Sequence, residues 1–119
     1  MKNIILFGAG GHAKSCLDVI NQLKRFRINY LVSINDKRNN LLQIKIVNEK
    51  DLKLSKKHNI LIAFSGHDQI NKREKLFTKL KRLGHKFPKI VAKSAYVSKN
   101  SKVFDGSIVM HNSLININT

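Results

Sequence analysis

Apolar residues fall along this chain in three rhythms. Residues 3–7 and 59–64 are short, continuous apolar runs, the first ending at Gly8 and the second at Ser65-Gly66. Such runs suit strands buried on both faces of a parallel sheet. Ala13, Cys16, Leu17, Ile20 and Leu23 then follow a helical spacing, predicting an amphipathic helix to about residue 25. A second helical stripe runs through Ile70, Leu76, Phe77, Leu80 and Leu83. Asp68 is its expected N-cap, Gly84 its left-handed terminator, and Pro88 stops the helix resuming. Residues 29–34 and 87–91 read as further strands, residues 44–47 as a short edge strand, and residues 51–57 as a turn or weak helix. The predicted order is β-α-β-(β)-β-α-β. It implies an α/β fold, a small Rossmann-like parallel sheet flanked by helices.

The third rhythm begins at Val91. Val91, Val97, Val103, Val109 and Ile115 stand six residues apart, and Ala95, Ser101, Ser107, Ser113 and Thr119 follow each by four. An aliphatic residue with a small residue four positions on is the hexapeptide pattern. Its physical reading is the start of a left-handed parallel β-helix, three hexads to a coil. The aliphatic residue points to the axis and the small one fits the corner. The expected division is therefore residues 1–90 as a sheet domain and 91–119 as the first coils of the β-helix. About one and a half coils are present, fewer than the roughly three repeats a solenoid usually needs, so this part is expected to be incomplete.

Composition changes little in this picture. Of 119 residues, 42% are hydrophobic and 25% charged, a globular balance. No apolar run approaches the roughly 20 residues of a membrane helix. Residues 4–7 are too few for the core of a signal peptide, so a cytoplasmic protein is expected, with no membrane partner. The single cysteine, Cys16, excludes an internal disulfide. The histidines show neither helical pairing nor cysteine partners, so no metal is expected. Lys and Arg number 23 against 7 Asp and Glu, a net charge of +16. That balance favours anionic ligands, or reflects only a Lys/Asn/Ile-rich composition. The densest stretch, residues 71–86, carries seven Lys or Arg without interleaved aromatics. It offers no base-stacking platform, and nucleic acid is not the expected partner.

The candidate chemistry sits at Gly8-Ala9-Gly10-Gly11-His12-Ala13, a G-x-G-x-x-A string between a strand and a helix. The glycines permit a tight turn and close backbone approach, and the helix N-terminus offers N–H groups and a positive dipole end to phosphate. The alternative is a turn that only packs helix on strand. Asp36, after the second strand, stands where an acid meets a ribose in dinucleotide folds. Gly8 to Ser15 misses the P-loop pattern at Ala13, and Ser65 replaces the Asp that would hold magnesium, so an NTPase is rejected. His12 either donates to a phosphate or is a plain turn residue. Cys16 lies on the apolar helix face, as an inert core residue would.

These motifs, taken in order, resemble one family. Ile4-Ile5-Leu6-Phe7-Gly8-Ala9-Gly10-Gly11-His12-Ala13-Lys14, Ile60-Leu61-Ile62-Ala63-Phe64-Ser65-Gly66, Lys72-Arg73-Glu74-Lys75-Leu76-Phe77, Lys86-Phe87-Pro88, Ser94-Ala95-Tyr96-Val97-Ser98 and Val109-Met110-His111 carry the resemblance over the whole chain. It is similar to the bacterial sugar O- and N-acetyltransferases of the sialic acid O-acetyltransferase and UDP-N-acetylbacillosamine N-acetyltransferase type. The resemblance implies an N-terminal domain that binds a nucleotide-sugar or sugar acceptor in cell-surface polysaccharide biosynthesis. It implies a trimeric β-helix that binds acetyl-CoA between subunits, and a histidine general base in a later coil. On this chain it places Gly8, Gly10, Gly11 and His12 against the acceptor's phosphates, Asn35 and Asp36 at the uridine or ribose, and Ser65 and Gly66 closing the pocket. The chain departs at Asn35, where an acid is commoner, and at His67-Asp68, where Asp-Asn or Asn-Asn is usual. The family histidine is expected beyond Thr119. His111 stands in the wrong hexad to replace it, so no catalytic residue is assigned and His111 is the lesser candidate. A non-catalytic nucleotide or nucleotide-sugar module is the alternative reading.

Overall fold

The computed structural model describes residues 1–115. Thr119, which closes the small-residue series, lies outside the described residues. Strand β1 (Lys2–Phe7) leads into helix α1 (Gly11–Leu23), then β2 (Phe26–Ser33), β3 (Asn40–Leu41) and β4 (Ile44–Asn48). Strand β5 (Asn59–Ile62) and helix α2 (Ile70–Arg82) follow. The sheet order is β3-β4-β2-β1-β5, parallel except for the edge strand β3. The α/β class and the Rossmann-like sheet are as the apolar runs predict.

Alternation along β1, β2 and β5 divides the core into two layers. Ile4, Leu6, Leu31 and Leu61 face a cluster that holds Ala13, Cys16, Leu17 and Ile20 of α1. Ile5, Phe7, Val32 and Ile60 face the other side, with Leu80 of α2. Ile4, Ile5, Leu6, Ile60 and Leu61 are fully buried, each a contribution of about 1.5–3 kcal/mol. The α1 stripe lies where its spacing puts it, and Val19 joins it.

The second helix departs from its pattern. Only Leu80 is buried in α2, while Ile70 is 40% and Leu83 58% exposed. Asp68 is not its N-cap: Gln69 occupies that position, and Asp68 lies in a 3-10 turn, His67–Gln69, ahead of it. The Asp68 carboxylate instead accepts from Gln69 Nε2 at 3.2 Å. Gly84 does terminate the helix, with φ of 93° and its N–H on the Lys81 carbonyl at 3.0 Å. The expected strand over residues 87–91 does not form in the sheet. Contact with β5 is a single bridge, Asn59 to Lys86. The weak helix expected over residues 51–57 is a 3-10 turn at Glu49–Asp51.

From Ile90 the chain coils. Strand β6 (Ile90–Val91) pairs in parallel with β8 (Ile108–Val109), and β7 (Tyr96–Val97) with β9 (Leu114–Ile115). Each partner lies 18 residues along, which is three hexads, so one full turn of chain returns to stack on itself. Ile90 and Ala92 are buried in the α1-side core, with Ile108 and Met110 packed against it. The coil is thereby fastened to the sheet.

Candidate functional site

Sheet order fixes where a ligand fits. The chain runs outward from β1 through β2 to β4, then returns to the other side of β1 as β5. Open α/β sheets bind ligands in the crevice beyond the carboxyl ends of strands at such a reversal. A cleft of about 260 Å³ lies there, lined by Phe7, Gly8 and Ala9 at the end of β1, Ser33 and Ile34 at the end of β2, and Phe64 beyond β5. Val32, Glu49, Gln69, Lys72 and Leu76 complete it.

Gly8 makes the crevice possible. Its N–H donates to the Val32 carbonyl at 2.8 Å, and the Ala63 N–H donates to the Phe7 carbonyl at 2.7 Å. The turn therefore passes between β2 and β5 at backbone distance. A Cβ on Gly8 would sit 2.6 Å from the Ala63 carbonyl oxygen, at a φ of 136° that L side chains rarely adopt. Gly10 is the extended N-cap of α1 and Gly11 its first residue, with no side chain capping the first turn. Both have open space beside them. First-turn N–H groups lack an intrahelical acceptor, so this end of α1 suits an anion. His12 stands half-buried beside them.

The expected ribose acid is already engaged. Asp36 accepts from Arg38 Nε at 2.9 Å, Nη2 at 2.6 Å and the Arg38 N–H at 3.0 Å. The Asp36 N–H donates to Asn48 Oδ1 at 3.2 Å. The Arg38 guanidinium holds the Asp36 carboxyl well below the usual carboxylate range. Arg38 Nη2 also donates to the Ala9 carbonyl at 2.7 Å, tying the loop after β2 to the glycine turn. Asn35 adopts a left-handed φ of 50°, which asparagine tolerates. It lines a smaller cavity with Ile34, Asn48, Glu49 and Lys50, adjoining the cleft.

Of the eight residues expected at the site, only Gly8 lines the cleft itself. Gly10, Gly11 and His12 head α1, Asn35 lines the adjoining cavity, and Asp36 is held by Arg38. Ser65 and Gly66 are exposed between two lining residues, Phe64 and Gln69. Sequence reasoning missed Arg38, Glu49, Phe64, Gln69 and Lys72. Lys72 belongs to a basic helix whose other cations resemble it, and its Nζ lies 5.3 Å from the centre of the Phe64 ring. Arg38 carried no signal beyond its place two residues after Asp36.

His111 lies on the coil at the α1 face. Its Nε2 is 2.9 Å from Asp18 Oδ2 and its Nδ1 3.3 Å from Ser94 Oγ. It does not line the cleft. Burial pushes the Cys16 thiol up to about 11, so it stays protonated at neutral pH. Among the described residues, no group of three or more His, Cys, Asp or Glu comes together to hold a metal, and no helix is long and apolar enough to cross a membrane.

Residues 3–80 match the family model of the PglD N-terminal domain. The chain belongs to the PglD N-terminal domain family. No curated protein matches it in sequence. In fold, this PglD N-terminal domain chain is similar to the acetyltransferase domain of PglB from Neisseria gonorrhoeae FA1090. The TM-score is 0.75 at 21% identity, covering 96% of this chain and 56% of that one. The same domain in complex with acetyl coenzyme A gives 0.74 at 20% identity, over 95% and 55%. PerB from Caulobacter crescentus, in complex with CoA and GDP-perosamine, gives 0.77 at 21% identity, over 98% and 55%. The chain thus spans about half the length of the solved structures it matches.

Proposed function

We propose that residues 1–90 are the acceptor-binding domain of an acetyl-CoA-dependent sugar O- or N-acetyltransferase, and that residues 91–119 open its left-handed β-helix. The acceptor is a nucleotide-sugar. One observation carries this reading: the cleft lies at the reversal point of the sheet, directly beside the glycine turn and the uncapped end of α1. The base enters the cleft, and the diphosphate lies over Gly10 and Gly11 with His12 in reach. Family membership and neighbours solved with CoA and GDP-perosamine support it.

No acetyl-CoA site is assigned to the described residues. Their single coil leaves Tyr96, Phe104 and Leu114 exposed, and the cleft faces the sheet rather than the coil. Coenzyme binding, acetyl transfer and assembly as a trimer are proposed for the whole protein. Calorimetric titration of the 119-residue chain with nucleotide-sugars and with NAD tests the acceptor role. Saturable binding of a nucleotide-sugar is expected; binding of NAD alone sinks it. An acetyl-CoA turnover assay on the same chain is expected to show none.

A further inference from the structure

We propose that the cleft is a guanine site and that Glu49 reads the base. This rests on the nucleotide-sugar reading above and narrows its substrate class. The cleft is a mostly apolar slot, with Phe7, Val32, Phe64 and Leu76 among its walls. Phe64 offers an aromatic face for stacking. The slot is about 260 Å³, just under the roughly 300 Å³ at which pockets for whole ligands begin, so it takes a base while the rest of the ligand lies outside.

Polar side chains then decide which base. Glu49 is the one carboxylate among the described residues that line the cleft, and Ser33, Gln69 and Lys72 are the other polar side chains there. A carboxylate at neutral pH only accepts hydrogen bonds, and it binds best to two parallel donors. Guanine alone among the common bases presents such a pair, with N1–H and the N2 amino group side by side. Uracil places one N–H between two carbonyl oxygens. Adenine and cytosine set an amino group beside an unprotonated ring nitrogen whose lone pair repels the carboxylate. Guanine's O6 and N7 need donors in turn, and the Lys72 ammonium and Gln69 amide supply them from the start of α2.

Glu49 is also anchored. It follows β4 directly and heads the 3-10 turn Glu49–Asp51, where its carbonyl accepts from the Leu52 N–H at 3.1 Å. Asn48, next to it, accepts from the Asp36 N–H. The end of β4 thus carries the base-reading side chain and, through Asn48, holds the loop of the Arg38–Asp36 clasp.

The test is calorimetric titration of the 119-residue chain with GDP, inosine diphosphate, UDP, ADP and CDP. It is repeated on Glu49→Gln after circular dichroism confirms that the variant is folded. GDP is expected to bind about tenfold or more tighter than the others, the scale of one good bidentate pair. Inosine diphosphate lacks only the N2 amino group and is expected to fall to the level of UDP. In Glu49→Gln the preference for GDP over inosine diphosphate should vanish. UDP binding tighter than GDP, or inosine diphosphate binding as well as GDP, overturns the guanine assignment and leaves the nucleotide-sugar reading standing. Failure of every nucleoside diphosphate to bind overturns both.

Discussion

The Arg38 guanidinium reaches 29 residues back along the chain to donate to the Ala9 carbonyl at 2.7 Å. The same side chain grips Asp36 through two nitrogens, so one residue fixes both the glycine turn and the acid after β2. Arg38→Met is expected to loosen the turn and lower nucleotide-sugar affinity on the order of tenfold, and Arg38→Lys to fail to restore it, because a point charge cannot replace a planar fork. Asp36 titrates lower in the folded chain than in the unfolded one. Its stabilising contribution is therefore complete above the ordinary carboxylate range and lost as pH falls below about 4. Chemical unfolding of wild type and Arg38→Met across the acidic range up to neutrality checks this. Identical acid dependence in the two would refute the clasp.

The glycines of the turn should differ sharply in tolerance. Gly8→Ala forces a Cβ against the Ala63 carbonyl at a disfavoured φ and is expected to cost about 3 kcal/mol or more. Gly11→Ala meets open space at the first helical residue and is expected to be neutral or to stabilise by up to about 1 kcal/mol. Thermal melts of the two variants give the comparison. If the role proposed for Gly11 is right, the added methyl at Gly11 should weaken nucleotide-sugar binding even though the fold is intact.

Leu42 and Gln43 turn the β3–β4 hairpin with φ of 50° and 68°, both left-handed. This pair of conformations suits Asn-Gly, and neither residue present favours it. Leu42→Asn with Gln43→Gly is expected to stabilise the chain by about 1 kcal/mol or more, since each side chain now carries left-handed strain. Denaturant titration reads it directly, and an unchanged midpoint would count against the hairpin.

His85 is buried, and its Nδ1 accepts the His58 N–H at 3.1 Å, which requires that nitrogen to be unprotonated. Burial, and the His58 ring stacked beside it, push the imidazole below its ordinary value. Lys2, Lys57 and Lys86 line the cavity shared with His58, and none of them favours a second charge. The folded value lies below the unfolded one, so the unfolded chain takes up the proton first. Stability is then full above about pH 6.5 and declines as pH falls below it. His85→Gln, which keeps an acceptor but cannot titrate, is expected to flatten the unfolding midpoint between about pH 5 and 8. A slope as steep as that of wild type would place the proton uptake elsewhere.

Much of this architecture is legible in the chain. The apolar runs at residues 3–7 and 59–64 name β1 and β5, because short runs of consecutive apolar side chains suit strands covered on both faces. The α1 stripe is complete enough to predict which side chains are buried. The six-residue period predicts the 18-residue pairing of β6 with β8 and β7 with β9, because each hexad is one side of the coil. The strand expected over residues 87–91 is absent from the sheet for a physical reason. An apolar run shows that a segment is buried, not which neighbour covers it, and Ile90 and Val91 pair with the coil instead. Hairpin β3–β4 is not legible because Leu42-Gln43 carries no turn signal.

The site divides along the same line. By itself the sequence determined the glycine turn, the sheet that it leaves and the helix that it starts, since these depend on local spacing and on the conformations glycine allows. Only the tertiary structure decided what stands around that turn. Arg38 meets Ala9, His111 meets Asp18, and Glu49 and Lys72 line one cleft, each pair far apart in the chain. Such contacts arise from strand order and crossover, which bring distant loops to one end of the sheet, and no local pattern of residues records them.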